Sequence, residues 1–319
     1  MRARPKIGCI GDLLVEFVCL SKNGHHRRVE SYMGPFPSGA AGIFIDQAAQ
    51  MGGECIFVGG VGEDAFGDVV IERLTAHGVN VSLVNRVKGV PTGTAFVSYN
   101  DDGTRDFVYN IILSAAAHFS ADDATLDALL KFRPDVMHVS GSALGDERMA
   151  KPVLEASRAL NAAGVKISFD PNVRKELVDN PAYFASVHEL MEISTIFLPS
   201  EADAEALFPG RDLIAFAPEL FAKGAEYVVL KKGENGCEGL SREGDRASLA
   251  GHKVEVLDPT GAGDCFCATF VTLIASGDFD FKGALERANA AGALAVTKVG
   301  PMEGNSTLAM AEALLKGDQ

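Results

Sequence analysis

Short apolar runs alternate with helical patterns along most of the chain. The runs at 7–10, 55–58, 136–139, 165–169, 195–198 and 227–230 are dense in aliphatic and β-branched residues and end at polar, Gly or Pro positions, as strands buried on both faces do. Between them the apolar positions fall at helical spacing, and helices are expected over 40–50, 68–75, 124–130, 147–161, 202–207 and 213–222. Beyond residue 260 the pattern becomes helix-rich, with segments at 265–275, 283–297 and 307–314. Strand alternating with helix predicts an α/β protein whose sheet is largely parallel and covered on both faces.

Two stretches break this alternation. Residues 13–33 and 94–111 mix polar and apolar positions, and the turn Asn100-Asp-Asp-Gly103 separates two strand-like flanks. The second stretch reads as a β-hairpin, and the two together as a small sheet set apart from the main one. There is no internal repeat and no low-complexity segment.

Composition narrows the partners. The formal net charge of −14 argues against nucleic-acid binding, which needs clustered Lys and Arg. No apolar run is long enough to span a membrane, and Asp12 and Glu16 interrupt the first apolar segment, against a signal peptide. Cys9, Cys19, Cys55, Cys237, Cys265 and Cys267 have no zinc-ligand spacing and read as reduced thiols of a cytoplasmic protein. Cys265 and Cys267 should face different sides of one helix.

The chemistry concentrates in DPTGAGDCF at 258–266. Gly261, Ala262 and Gly263 form a turn of minimal bulk that opens into a helix, so unpaired N–H groups and the helix dipole can hold an anion there. Asp264 stands in the first helical turn, a carboxylate beside an anion cradle. Phosphoryl transfer needs that pairing: a base for the attacking hydroxyl and fixed dipoles for the moving charge. Rival nucleotide motifs are missing. The glycines at 59–67 (GGVGEDAFG) do not have dinucleotide-binding spacing, and no phosphate-binding loop with the Gly-Lys-Ser/Thr ending occurs.

The run at 258–264 resembles the C-terminal motif of the ribokinase-like (PfkB) carbohydrate kinases, nearest to fructokinase, tagatose kinase and 2-keto-3-deoxygluconate kinase members. The similarity extends from Ile7 to Ser306 with motifs in family order. It implies one kinase domain over 1–319, a three-layer α/β/α sandwich with a mostly parallel central sheet, and a small β-sheet lid inserted at about 13–36 and 92–112. It also implies a homodimer formed through the lid sheet.

Several site residues follow from the resemblance. Asp264 is the expected general base, with Gly261, Ala262 and Gly263 as the anion hole. Asp12, at the end of the first strand where open α/β sheets bind ligands, matches the sugar-binding Asp. Gly39 and Ala40 lie in the motif SGAAGI, which departs from the family's Gly-Gly-x-x-x-Asn at Ser38 and Ile43. Asn172 and Arg174 belong to FDPNVR, Arg105 and Tyr109 to the lid strand, and all four are expected near the sugar.

For ATP, the expectation rests on Ser200, Lys231, Gly233, Gly236, Thr260, Gly261 and Gly263, with Ala291 and Ala295 either against the adenine or merely packing another helix. Asp203 replaces the family's Glu in PSEAD and would reach Mg²⁺ through water. Asp258, Thr260 and Gly300 match a monovalent-cation site, so K⁺ joins ATP and Mg²⁺ as a cofactor to test.

The implied reaction is transfer of the γ-phosphate of ATP to a hydroxyl of a monosaccharide. Asn110 and Ile111 stand where a carboxylate-binding Arg is expected, which favours a neutral ketose such as fructose or tagatose over 2-keto-3-deoxygluconate. A 2-keto-3-deoxygluconate kinase, then a nucleoside kinase, and a non-catalytic sugar sensor remain as alternatives.

Overall fold

A computed structural model describes residues 4–173, 177 and 179–317. In chain order the strands are β1 (Lys6–Ile10), β2 (Leu14–Cys19), β3 (Tyr32–Ser38), β4 (Glu54–Gly62), β5 (Asn80–Val87), β6 (Gly93–Tyr99), β7 (Arg105–Asn110), β8 (Val136–Ser140), β9 (Lys166–Asp170), β10 (Ile196–Phe197), β11 (Tyr227–Lys231), β12 (Cys237–Ser241) and β13 (Arg246–Leu249). The helices are α1 (Ala40–Gln50), α2 (Ala65–Ala76), α3 (Asp123–Phe132), α4 (Glu147–Ala162), α5 (Pro181–Ile193), α6 (Glu201–Leu207), α7 (Leu213–Lys223), α8 (Ala262–Ser276), α9 (Phe281–Ala295) and α10 (Leu308–Lys316).

Nine strands form the main sheet in the order β13-β12-β11-β10-β9-β8-β1-β4-β5. From β11 to β5 every pairing is parallel, and only the β11–β12–β13 edge is antiparallel. Two apolar clusters cover its faces. One gathers Leu129, Val153, Val187, Ala204 and Phe216 from α3 to α7. The other gathers Phe44, Val70, Phe270 and Leu285 from α1, α2, α8 and α9. Helices on both faces of a parallel sheet give three layers, the ribokinase-like α/β/α arrangement expected from the sequence.

Helix starts follow local capping rather than the apolar pattern. Asp64 caps α2 by accepting from Gly67 N, so the helix begins before residue 68. Asp280 does the same for α9 through Gly283 N. Both starts therefore lie upstream of the periodic segment that marked them.

The four remaining strands form a separate sheet, β3-β2-β6-β7, drawn from the two stretches that broke the alternation. β2 pairs with β6 in parallel, so the two insertions are stitched together through the sheet interior. Side chains alternate between faces along each strand. Register puts Glu16, Ser38, Phe36, Ala95, Val97, Tyr99, Arg105, Phe107 and Tyr109 on one face. Phe17 and Phe96 stack on the other, 5.1 Å between centroids. The first face looks onto the carboxyl edge of the main sheet, since Tyr99 reaches Asp258 and Phe36 lies against Gly300.

Candidate active site

The carboxyl ends of adjacent parallel strands line one edge: Asp12 beyond β1, Ser140 ending β8, Asp170 ending β9, Ser200 beyond β10 and Lys231 ending β11. At this edge the N-terminus of α8 arrives. Gly261 caps α8 in the left-handed region at φ 86°. A Cβ there would come within 2.6 Å of Pro301 O and 3.3 Å of Ile43 Cγ2, so only glycine fits. α8 is long enough, at 15 residues, to develop a full terminal dipole.

Ile43, standing where the family pattern has Asn, is 2% exposed and packs with Cys265, Ala295 and Met302 under this turn. Ile43 thus gives Gly261 an apolar floor.

Lys231 closes one side of the cradle. A Cβ on Gly263 would lie 3.6 Å from Lys231 Nζ, so the ammonium borders the turn. Its partner is Asp170, in a close ion pair. Burial works against the Lys231 charge, but the carboxylates of Asp170 and Asp203 outweigh it and raise the lysine pKa above its ordinary value. Lys231 Nζ also donates to Cys267 Sγ at 3.4 Å. Burial pushes the Cys267 thiol well up, leaving it protonated and inert. Cys265 points the other way, to Asn305 Oδ1 at 3.0 Å.

Asp264 stands in the first turn of α8. Burial first, then the charges of Asp12 and Asp264, raise the pKa of the Cys9 thiol in β1. Ser142 Oγ donates to Asp12 Oδ1 at 3.0 Å, Ser140 Oγ lies 3.1 Å from Ser142 Oγ, and Asn172 Nδ2 donates to Ser140 Oγ at 3.1 Å. This chain of hydroxyls ties the ends of β1, β8 and β9 together. Gly39 caps α1 at φ 103°, and a Cβ there would strike Asp12 O at 2.5 Å. The Asp12 and Gly39–Ala40 segments are thus in direct contact.

The lid contributes a residue that sequence reading missed. Glu16 is 3% exposed on the inner face of β2, its Oε2 accepts from Ser38 Oγ at 3.4 Å, and its Oε1 is buried with no partner. Burial first, then Asp258, pushes its pKa up to about 8, against the opposing pull of Arg105 and Ser38. A buried acceptor left unpaired costs free energy until something fills it. The signal was present in the sequence: one carboxylate inside the otherwise apolar strand LVEFVC.

Other expected residues fall differently. Asp203 completes a capping box on α6 with Ser200, and its remaining oxygen accepts from Val173 N at 2.7 Å. Both of its oxygens therefore carry hydrogen bonds within the chain. Ala291 and Ala295 are 0% and 1% exposed and pack against Met51 and Ala311, and against Ile43 and Met302, respectively. Their small side chains serve helix packing; neither presents surface to an adenine. Gly236, at φ 93°, lets β12 approach Leu249 O, whereas Gly233 stands in open space. Tyr109 stacks on Phe107 at 5.0 Å. Arg105 lies over the Phe107 ring and within 3.5 Å of Thr260 Oγ1, beside the 258–260 loop rather than beside Asp12. Arg174 lies outside the described residues.

Asp258, Thr260 and Gly300 do come together. Asp258 Oδ1 accepts from Thr260 N at 2.9 Å and from the Tyr99 hydroxyl, and Oδ2 accepts from Gly300 N at 3.0 Å. Those bonds use three of a carboxylate's roughly four acceptor positions. One position on Oδ2 stays open to a cation.

The model of the pfkB family of carbohydrate kinases matches residues 4–308. The chain belongs to this family. It is thus a sugar kinase of the ribokinase fold. Fructokinase-2 of Zea mays is 29% identical over 323 residues, covering 96% of this chain and 92% of its own. A protein of Escherichia coli described as a ribokinase II is 36% identical over 98% of this chain and 99% of its own. It superposes with a TM-score of 0.92 in the apo form and 0.91 in complex with ATP and Mg²⁺. A fructokinase of Vibrio cholerae solved with fructose, ADP and potassium ion shares the fold, with a TM-score of 0.83 at 23% identity over 99% of each chain. Among the described residues no helix is long and apolar enough to cross a membrane.

Proposed function

We propose that this kinase transfers the γ-phosphate of ATP to a hydroxyl of a neutral ketose, fructose- or tagatose-like, with Asp264 as the general base. The observation that carries the reading is the cradle at the head of α8, bordered by the Lys231 ammonium, with Asp264 in the first turn of that helix. An anion held between fixed N–H donors and an ammonium loses charge density to them as it transfers, which lowers the barrier. Asp264 removes the hydroxyl proton as the oxygen attacks. Asp12, fixed by Ser142, gives an acceptor for a sugar hydroxyl from the sheet edge, and the unpaired Glu16 oxygen gives a second hydrogen-bonding atom from the lid.

ATP would bring Mg²⁺ with its phosphates, neutralising their charge, and Asp203, in the first turn of α6, would reach the ion through water. Potassium would bind at the 258–300 loop, with the open position on Asp258 Oδ2 available to it. Six free, buried cysteines support a reducing, cytoplasmic setting, and the net charge of −14 supports small molecules as partners rather than nucleic acid. Exposed Met33, Val108 and Leu113 near the two free edges of the lid support a homodimer through that sheet.

The test is ADP release measured with ketoses, aldoses, keto-acid sugars and nucleosides, in Na⁺ and in K⁺. Turnover is expected with a ketose. Preference for a keto-acid sugar or a nucleoside would replace the substrate class. Silence across the panel together with measurable sugar binding would make the protein a sensor.

A further inference from the structure

The inner face of the lid carries a contact that sugar binding does not use. Tyr99, the last residue of β6, spans from the lid to the loop ahead of the anion hole and donates its hydroxyl hydrogen to Asp258 Oδ1. Thr260 Oγ1 lies 3.2 Å from the phenol oxygen. With the phenol hydrogen committed to Asp258, Thr260 must be the donor in that pair. Arg105 Nη1 in turn lies 3.5 Å from Thr260 Oγ1 and can only donate. One directed series results, Arg105 to Thr260 to Tyr99 to Asp258, in which each bond polarises the next.

Its position matters more than its strength. Two of its four members, Tyr99 and Arg105, belong to the lid, and they face each other across the β6–β7 pairing. The other two, Asp258 and Thr260, lead directly into Gly261. Gly261 has no slack, being confined by Pro301 O and Ile43. Asp258 is fully buried and also holds Gly300 N, next to Pro301. The carboxylate therefore fixes both strands of chain that pin Gly261, and the lid holds the carboxylate.

We propose that Tyr99 is a positioning residue that couples the seating of the lid to the geometry of the anion hole. When the lid sits on its substrate the phenol engages Asp258, and the 258–261 segment takes the conformation that points the α8 N–H groups at the transferring phosphate. When the lid lifts, Asp258 loses this donor and the hole loosens. Phosphoryl transfer is thereby confined to the covered site, where water is excluded.

The kinetic readout rests on the kinase reading; a second readout does not. Tyr99→Phe keeps the ring and removes the hydroxyl. It is expected to lower kcat about ten-fold while leaving the ATP KM within about two-fold, the split that marks loss of an interaction realised only in the transition state. In an Asp258→Asn background the same change should cost less than about two-fold, because the partner is already blunted. Independently of turnover and of whether Asp258→Asn folds, hydrogen exchange of the peptide covering 258–266 should quicken in Tyr99→Phe while that of β8 and β9 does not change. An unchanged kcat in an active enzyme, an equal loss in both backgrounds, or unchanged exchange at 258–266 would overturn the proposal. Absence of turnover in the parent with quickened exchange in the variant would spare the coupling and remove the sugar-kinase reading.

Discussion

At the head of α8 the chain uses backbone and steric confinement, whereas on the lid it uses side chains. Gly261 sits at a positive φ with a carbonyl 2.6 Å from where a Cβ would be. The donors there are N–H groups, which cannot be exchanged by substitution. On the lid, acceptors and apolar cover come from Glu16, Phe107 and Tyr109, each replaceable without moving the strand that carries it. Confinement of the backbone suits a function that must not vary, holding a phosphoryl group in line. Side chains on a regular sheet suit one that varies among relatives, recognition of a particular sugar.

The contrast can be broken most sharply at Asp264. Asp264→Asn is expected to cut kcat by at least about two orders of magnitude with the circular-dichroism spectrum and melting temperature preserved, since the base is lost and the shape is not. Near-parental turnover would remove the carboxylate from the chemistry. Gly261→Ala tests the confinement itself. The Cβ must displace Pro301 or the turn, so a stability loss of about 1–3 kcal/mol by denaturant titration is expected, with kcat down at least about ten-fold.

Much of the fold was legible because burial on both faces writes a strand as a continuous apolar run. The strands that escaped, β5, β12 and β13, have half-exposed faces and mixed composition, and the β11–β12–β13 edge is antiparallel, so no run marks it. The cradle was legible because glycine at a required φ leaves a mark in the sequence. Ser140 and Ser142 were not, since a serine at a strand end looks the same whether or not it holds a carboxylate. The Ala291 and Ala295 stripe misled for a related reason: small residues admit a ring or a helix equally, and α8 with Met51, Ala311 and Met302 takes the space.

On the side-chain half of the comparison, Glu16→Gln should raise the KM for sugar about ten-fold with kcat little altered. It should also change the response to pH. The folded pKa of Glu16, about 8, lies above its ordinary 4.5, so the folded state keeps a proton that the unfolded chain gives up. Its contribution to stability is complete below the unfolded value and is lost as pH rises through about 8. The parent's melting temperature should therefore fall between neutral pH and pH 9 more than that of Glu16→Gln; parallel curves would reject the assignment. Ser142→Ala should have the smallest effect, a few-fold rise in sugar KM, corresponding to loss of one hydrogen bond of about 1 kcal/mol to Asp12. A larger effect on kcat than on KM would move Asp12 from orientation to chemistry.

One side chain in α1 ties the two ends of the chain together. Gln47 receives Ser306 N at 2.8 Å on its carbonyl and donates to Ser306 O at 3.0 Å, as a neighbouring strand would. Asn305 joins it by donating to Asp46 at 2.7 Å. During synthesis the first helix emerges from the ribosome long before this tail does. Until the tail is released, Asp258 lacks its Gly300 donor and Gly261 lacks the Pro301 carbonyl that confines it. The phosphate cradle is thus completed by the last part of the chain to be made, through contacts that α1 anchors from its first part.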